Sequence, residues 1–179
     1  VLAANGIKVY IYSELMPTPM LSWAVRELKC QAGIVITASH NPAKYNGYKV
    51  YGEDGCQITL NVANTVIGKI NAVEMFGGAK VIDFEDGIKS GKIEYIKQDV
   101  IDKYLDKVAQ QGVHTDLVAD SGLKVVYTPL NGTGNKPVRA ILKKIGIKEV
   151  TVVPEQENPD GNFPTCPFPN PEIKEAIAK

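Results

Sequence analysis

The chain has 179 residues, of which 20 are Lys or Arg and 20 are Asp or Glu, so its formal net charge is zero at neutral pH. Balanced charge without a run of one sign excludes the broad basic face of a nucleic-acid binder, and 44% hydrophobic against 22% charged residues excludes a disordered chain. Apolar runs such as Ile34–Ile36 and Val150–Val153 fall far short of the roughly 20 residues of a membrane helix, and no signal peptide is expected.

In chain order, Val1–Gly6 reads as the end of a helix closed by Asn5-Gly6. Lys8–Tyr12 is rich in β-formers and predicts a strand. Thr18-Pro19 then opens a helix whose stripe is Leu21, Ala24, Val25 and Leu28. Gly33–Thr37 and Tyr48–Tyr51 predict a pair of strands joined by a long loop, with Asn41-Pro42 and Asn46-Gly47 as its turns. The first of these strands reads as buried. After the turn at Glu53-Asp54-Gly55 and the segment Cys56–Leu60, Asn61 is expected to cap a helix. Its stripe is Val62, Val66, Ile67, Ile70 and Val73, and Gly77-Gly78 stops it.

A second block starts near Asp99 with Val100, Ile101, Tyr104, Leu105 and Val108 at helical spacing, ended by Gly112. The boundary is placed at 90–98, dividing the chain into domains 1–95 and 96–179. Leu123–Thr128 predicts a buried strand, Pro137–Ile145 a helix closed by Gly146, and Glu149–Val153 a strand, a unit typical of α/β domains. Pro154–Pro171 holds six of the eleven prolines, which bars any long element. Glu172–Lys179 is helical in pattern without a stop signal, so the chain reads as a fragment cut at both ends.

Cys30, Cys56 and Cys166 lack C-x-x-C spacing, which points to reduced thiols and a cytoplasmic location. Ser39 follows a strand in a turn-rich loop, a placement that exposes a hydroxyl on an anchored backbone. Capping or turn formation is the bland alternative for such a serine. Lys49, second in the returning strand, falls near the same end of the hairpin, on the face opposite Tyr48 and Val50; a solvated surface lysine is its alternative. His40 is a candidate proton-transfer group. His114 follows a helix end and reads as a solvated loop residue, and Asp83-Phe84-Glu85-Asp86 as an exposed acidic turn. The stretch around Ser39 lacks the glycines of G-x-S-x-G, against a serine hydrolase.

Thr37-Ala38-Ser39-His40-Asn41-Pro42, followed by Asn46-Gly47-Tyr48-Lys49, resembles the active-serine segment of the α-D-phosphohexomutases, the phosphoglucomutase and phosphomannomutase family. The resemblance continues through Met16–Pro19, Tyr127–Gly134, Asn158–Thr165 and Phe168–Glu172. It implies an α/β fold of two consecutive α/β/α units with mixed sheets, both truncated: the C-terminal part of domain I and most of domain II. It further implies that Ser39 carries the phosphate exchanged with a phosphorylated hexose, expected to be glucose phosphate, between its 1- and 6-positions. A sugar 1,6-bisphosphate would be the intermediate and activator. Lys49 would serve as general acid/base with His40 assisting. Mg²⁺ would bind an oxygen of the Ser39 phosphate and aspartates of an Asp-x-Asp-x-Asp-Arg loop, which this chain lacks. Phosphomannomutase and phosphopentomutase activities are the alternatives within the family.

Other readings stay open. Asn131-Gly132-Thr133-Gly134-Asn135-Lys136-Pro137 partly mimics a dinucleotide-binding turn, though Pro137 stands at the third glycine of G-x-G-x-x-G. The chain is also compatible with a non-catalytic α/β binding module, and nothing in the sequence reports its oligomeric state.

Overall fold

The computed structural model of the chain describes residues 1–74, 77–166, 169–170, 172 and 174. It opens on a 3-10 turn, Ala3–Asn5, closed by Gly6 in the left-handed region at φ 81°, the ending that an Asn-Gly pair favours. β1 (Val9–Ile11), α1 (Thr18–Glu27), β2 (Ala32–Ile36), β3 (Tyr48–Gly52), α2 (Leu60–Asn71), α3 (Phe84–Lys89) and β4 (Ile93–Tyr95) follow. β2 and β3 pair antiparallel, from Ala32 opposite Gly52 to Ile36 opposite Tyr48. β4 runs parallel to β1, with Val9 opposite Ile93 and Ile11 opposite Tyr95. Residues as far as 95 therefore share a sheet with the start of the chain.

The rest comprises α4 (Gln98–Ala109), α5 (Thr115–Ala119), β5 (Lys124–Tyr127), α6 (Asn135–Lys144), β6 (Glu149–Val152) and the single turn α7 (Pro154–Glu157). β5 and β6 are parallel, pairing Lys124 with Glu149 and Tyr127 with Val152, and α6 is the crossover that parallel strands require. The architecture is α/β throughout, with parallel and antiparallel strand pairs. Among the described residues no helix is long and apolar enough to cross a membrane.

α1 sits at the centre of the packing. Its Met20, Ala24 and Val25 are buried, and Val25 lies so close to β2 that a Cβ on Gly33 would come within 2.5 Å of its Cγ2. On another side, Trp23 Nε1 donates to the carbonyl of Val100 at 3.2 Å, and Glu27 pairs with Lys103 at 2.7 Å. Tyr12, just past β1, donates its hydroxyl to the Met20 carbonyl at 2.9 Å. Burial, with a smaller contribution from Tyr104, pushes its pKa up to about 12. α4 in turn packs on α6, with Lys144 and Asp106 2.6 Å apart. The run α1–α4–α6 thus ties the hairpin of the first block to the βαβ unit of the second.

Several expectations are corrected. α2 begins at Leu60 after Thr59, so Asn61 lies inside the first turn, where its carbonyl accepts from Thr65 Oγ1. The helix ends at Asn71, well short of Gly77-Gly78, because the Ala72 N–H turns back to the carbonyls of Lys69 and Ile70. Its apolar stripe is present but uncovered: no α2 residue is buried, and Leu60 and Ile70 are 81% and 61% exposed. Asp83-Phe84-Glu85-Asp86 is not a turn but the start of α3, with the Asp83 carboxylate accepting from the N–H groups of Glu85 and Asp86, a conventional N-cap. β2 and β5 are only partly buried: Ile36 is 57% and Val126 75% exposed, since each strand has a single partner and one open face. β4 and α5 have no counterpart among the sequence-based elements, both being too short for a periodic signal. The helical pattern at Glu172–Lys179 lies outside the described residues apart from 172 and 174.

Candidate active site

The β2–β3 hairpin carries the loop of interest at its open end. Thr37 N–H donates to the Gly47 carbonyl at 2.9 Å, which extends the ladder past Ile36. Gly47 is needed there, because a Cβ on it would lie 2.5 Å from the Thr37 carbonyl oxygen. Ser39 then adopts φ 58°, in the left-handed region that non-glycine residues seldom enter. Its N–H donates to Thr37 Oγ1 at 3.0 Å. The loop returns by way of turns in which the N–H of Asn41 reaches the Ala38 carbonyl and that of Tyr45 the Pro42 carbonyl, each at 3.0 Å.

Ser39 and His40 are exposed, and Ser39 Oγ stands 3.5 Å from His40 Nδ1, at the outer limit of a hydrogen bond. Lys49 is half-buried and pairs with Val35. Strand alternation puts it on the same face as Tyr51, Gly33 and Thr37. It is the diagonal neighbour of Thr37, a separation of about 7–8 Å that a lysine side chain spans. The structure thus groups Ser39, His40 and Lys49 at one end of one hairpin. Ser39 and His40 line the adjoining cleft, whereas Lys49 is not among its lining residues.

That cleft, of about 740 Å³, lies between loop 37–46 and the two loops 129–133 and 159–163 of the second block. Its far wall repeats the geometry of the near one. After β5, Leu130 takes φ 49° and its N–H donates to Thr128 Oγ1 at 3.0 Å, just as Ser39 does to Thr37 after β2. Asn131, 6% exposed, secures this wall: its Nδ2 donates to the carbonyls of Asn158 at 2.9 Å and Glu155 at 3.3 Å. Its backbone N–H and C=O bond Gln156 and Asp160. Among the described residues its Oδ1 is buried without a hydrogen-bond partner. Gln156, also buried, accepts from the Thr128 hydroxyl at 2.6 Å and donates to Thr165 Oγ1 at 3.0 Å.

The glycines of the segment that mimics a dinucleotide turn have packing reasons. A Cβ on Gly132 would meet the Pro129 carbonyl at 2.9 Å, and one on Gly134 the Tyr127 hydroxyl oxygen at 2.7 Å. His114 is exposed at the N-cap of α5. A second groove, of about 680 Å³ beside Arg139, Lys143 and Lys148, contains none of the candidate residues. Thr37, Thr128 and Asn131 fall within the motifs quoted above without a role assigned to them, and Gln156 lies outside every motif. The one legible signal is the threonine two residues before Ser39 and before Leu130, which the other left-handed residues, Lys29, Asn131 and Phe163, do not share.

Among the described residues no three His, Cys, Asp or Glu side chains stand close enough together to hold a metal ion. Asp83, Glu85 and Asp86 are committed to the start of α3. The described residues therefore do not form a magnesium site by themselves.

Two family models match the chain: phosphoglucomutase/phosphomannomutase alpha/beta/alpha domain I over residues 1–76, and domain II of the same family over residues 102–179. Among curated relatives, the phosphoribomutase of Saccharomyces cerevisiae is 38% identical over 97% of this chain and 30% of its own length. The phosphoglucomutase of Staphylococcus saprophyticus is 38% identical over 99% of this chain and 32% of its own. A protein of Thermus thermophilus, solved under a phosphomannomutase name, superposes with a TM-score of 0.78 at 25% identity. That match covers 99% of this chain and 37% of the other. The chain spans about a third of the length of the curated relatives it matches. With a domain I match that contains the Ser39 loop and a domain II match that contains the facing wall of the cleft, the chain belongs to the phosphoglucomutase/phosphomannomutase family.

Proposed function

We propose that the full-length protein carrying this chain is a phosphosugar mutase in which Ser39 is the phosphate carrier. The observation that carries this reading is the position of Ser39, an exposed hydroxyl held in a left-handed turn at the mouth of a two-walled cleft. In the reaction, the bond from Ser39 Oγ to phosphorus breaks and a sugar hydroxyl oxygen takes the phosphoryl group, giving a sugar bisphosphate. That intermediate turns over in the cleft and returns its other phosphate to Ser39. The proton displaced from the sugar hydroxyl passes to Lys49, with His40 assisting, and the reverse step gives it back. Phosphoryl transfer relies mainly on positioning and charge stabilisation, which suits a site built on pinned loops.

Relatives named for ribose and glucose match this chain comparably. Glucose phosphate is the substrate we propose, and the protein is expected in the cytoplasm. Mg²⁺ would draw on the Ser39 phosphate oxygen from this chain and on aspartates outside it, so the 179 residues alone are expected to show no turnover.

The test is intact-mass analysis and site mapping after incubation with glucose 1,6-bisphosphate. One phosphoryl group is expected on Ser39, and Ser39→Ala in the full-length protein should lose mutase turnover. Phosphate mapping elsewhere, or full activity in Ser39→Ala, would overturn the proposal.

A further inference from the structure

We infer that Thr37 is the positioning residue of the phosphate-carrying loop, its hydroxyl fixing Ser39 in the backbone conformation that presents Oγ to the cleft. This rests on the reading of Ser39 as phosphate carrier and adds to it the element that sets the geometry of attack. The left-handed conformation at Ser39, φ 58°, is disfavoured for any residue with a Cβ, so it persists only if neighbouring groups hold it. Two hydrogen bonds among the described residues bear on it: the Asn41 N–H closes the turn around Ser39 on the Ala38 carbonyl at 3.0 Å, and Ser39 N–H itself donates to Thr37 Oγ1 at 3.0 Å, the one of the two that a side chain makes.

Thr37 is suited to the task because it is itself immobile. Its N–H is bonded to the Gly47 carbonyl at 2.9 Å, its own carbonyl rests against the bare Cα of Gly47, and β-branching restricts its χ1. The acceptor is therefore delivered from the strand ladder, not from another mobile part of the loop. The same device appears at Thr128 and Leu130, with the same 3.0 Å bond and φ 49°. There too a backbone bond closes the turn, from Gly132 N–H to the Pro129 carbonyl at 2.9 Å, and the left-handed residue has no nucleophile; the threonine hydroxyl is thus the side-chain support that both turns share, and Ser39 is the reactive group that one of them presents.

Removing the acceptor frees Oγ to sample other directions, and displacements of about 1 Å in a reacting group lower rates by about a hundredfold. In the full-length protein, Thr37→Val, which keeps the shape and deletes the acceptor, should lower kcat by about ten- to a hundredfold while KM for glucose 1-phosphate changes by less than about twofold. Phosphoryl loading of Ser39 from glucose 1,6-bisphosphate, followed by intact mass, should slow by the same factor. Thr37→Ser, which restores the acceptor, should recover kcat to within about threefold of the parent. A Thr37→Val protein with parental kcat and loading rate, or a Thr37→Ser protein as slow as Thr37→Val, would overturn the inference. Should Thr37→Val not fold, Thr37→Cys against Thr37→Ser decides, because the two are close in size but unequal as acceptors. Equal rates for that pair would likewise reject the role. Ser39→Ala separates the two levels: an inactive Ser39→Ala beside a fully active Thr37→Val rejects only the positioning role, whereas an active Ser39→Ala rejects the phosphate carrier and the positioning role with it.

Discussion

Replacing Gly47 by alanine tests whether the base of the Ser39 loop is as tightly closed as the geometry indicates. The added methyl carbon would lie 2.5 Å from the carbonyl oxygen of Thr37, about 1 Å inside ordinary contact. Both partners are backbone, so no rotamer change relieves the clash, and the two strands must part at the Thr37 N–H to Gly47 carbonyl bond of 2.9 Å. Overpacking costs about 1–3 kcal/mol, and a lost hydrogen bond adds about 1 kcal/mol. The smaller entropy of the unfolded alanine chain offsets about 0.4–1 kcal/mol. The net loss is about 1–3.6 kcal/mol, which at about 2–4 °C per kcal/mol for a chain of this size lowers Tm by about 2–14 °C. Gly68 provides the control, for it lies in α2 with nothing within 4 Å of an added Cβ. Gly68→Ala should stabilise by about 0.5–1 kcal/mol. Thermal unfolding followed by circular dichroism measures both. The reasoning fails if Gly47→Ala melts within about 1 °C of the parent, or if the two substitutions move Tm in the same direction.

Two further outcomes are expected. Lys49→Met should lower kcat in the full-length protein while leaving Tm near the parental value, and steady-state kinetics showing an unchanged kcat would remove Lys49 from the proton transfer; His40→Ala should have the smaller effect. Tyr12 binds its proton more tightly folded than unfolded, its pKa being raised from 10.0 to about 12. Its contribution to stability is thus complete below pH 10 and is lost as pH rises toward 12. Urea unfolding across that window should show a steeper loss in the parent than in Tyr12→Phe, and equal slopes would contradict this account.

The frame of the site is legible in the sequence because its signals are local. Thr18-Pro19 marks the start of α1, Asn46-Gly47 marks the return of the hairpin, and β-branched runs mark β2, β5 and β6. Boundaries of these elements move by one or two residues, as terminal turns commonly do, whereas α2 stops well before its expected Gly77-Gly78 end. What stays hidden depends on partners distant in the chain. Nothing about Ile93–Tyr95 announces a strand until β1 lies beside it. The alternation of α2 predicts a buried face, but burial is decided by a covering element, which the described residues do not supply. At the site, Ser39 is evident from its own motif, whereas Asn131 depends on carbonyls 24 and 27 residues away. No pattern within a short window carries that information.

The matching turns after β2 and β5 allow scaffold and chemistry to be told apart within a single molecule. Each block ends a strand with a threonine whose hydroxyl locks the second residue on into the left-handed region, and both turns open on the same cleft. The locked residue is serine in one and leucine in the other. The turn therefore accommodates both a serine and a leucine, and the hydroxyl proposed as phosphate carrier is the occupant of one of its two copies. An exchange of the side chain at position 39 is therefore expected to change reactivity while leaving the fold that holds it in place.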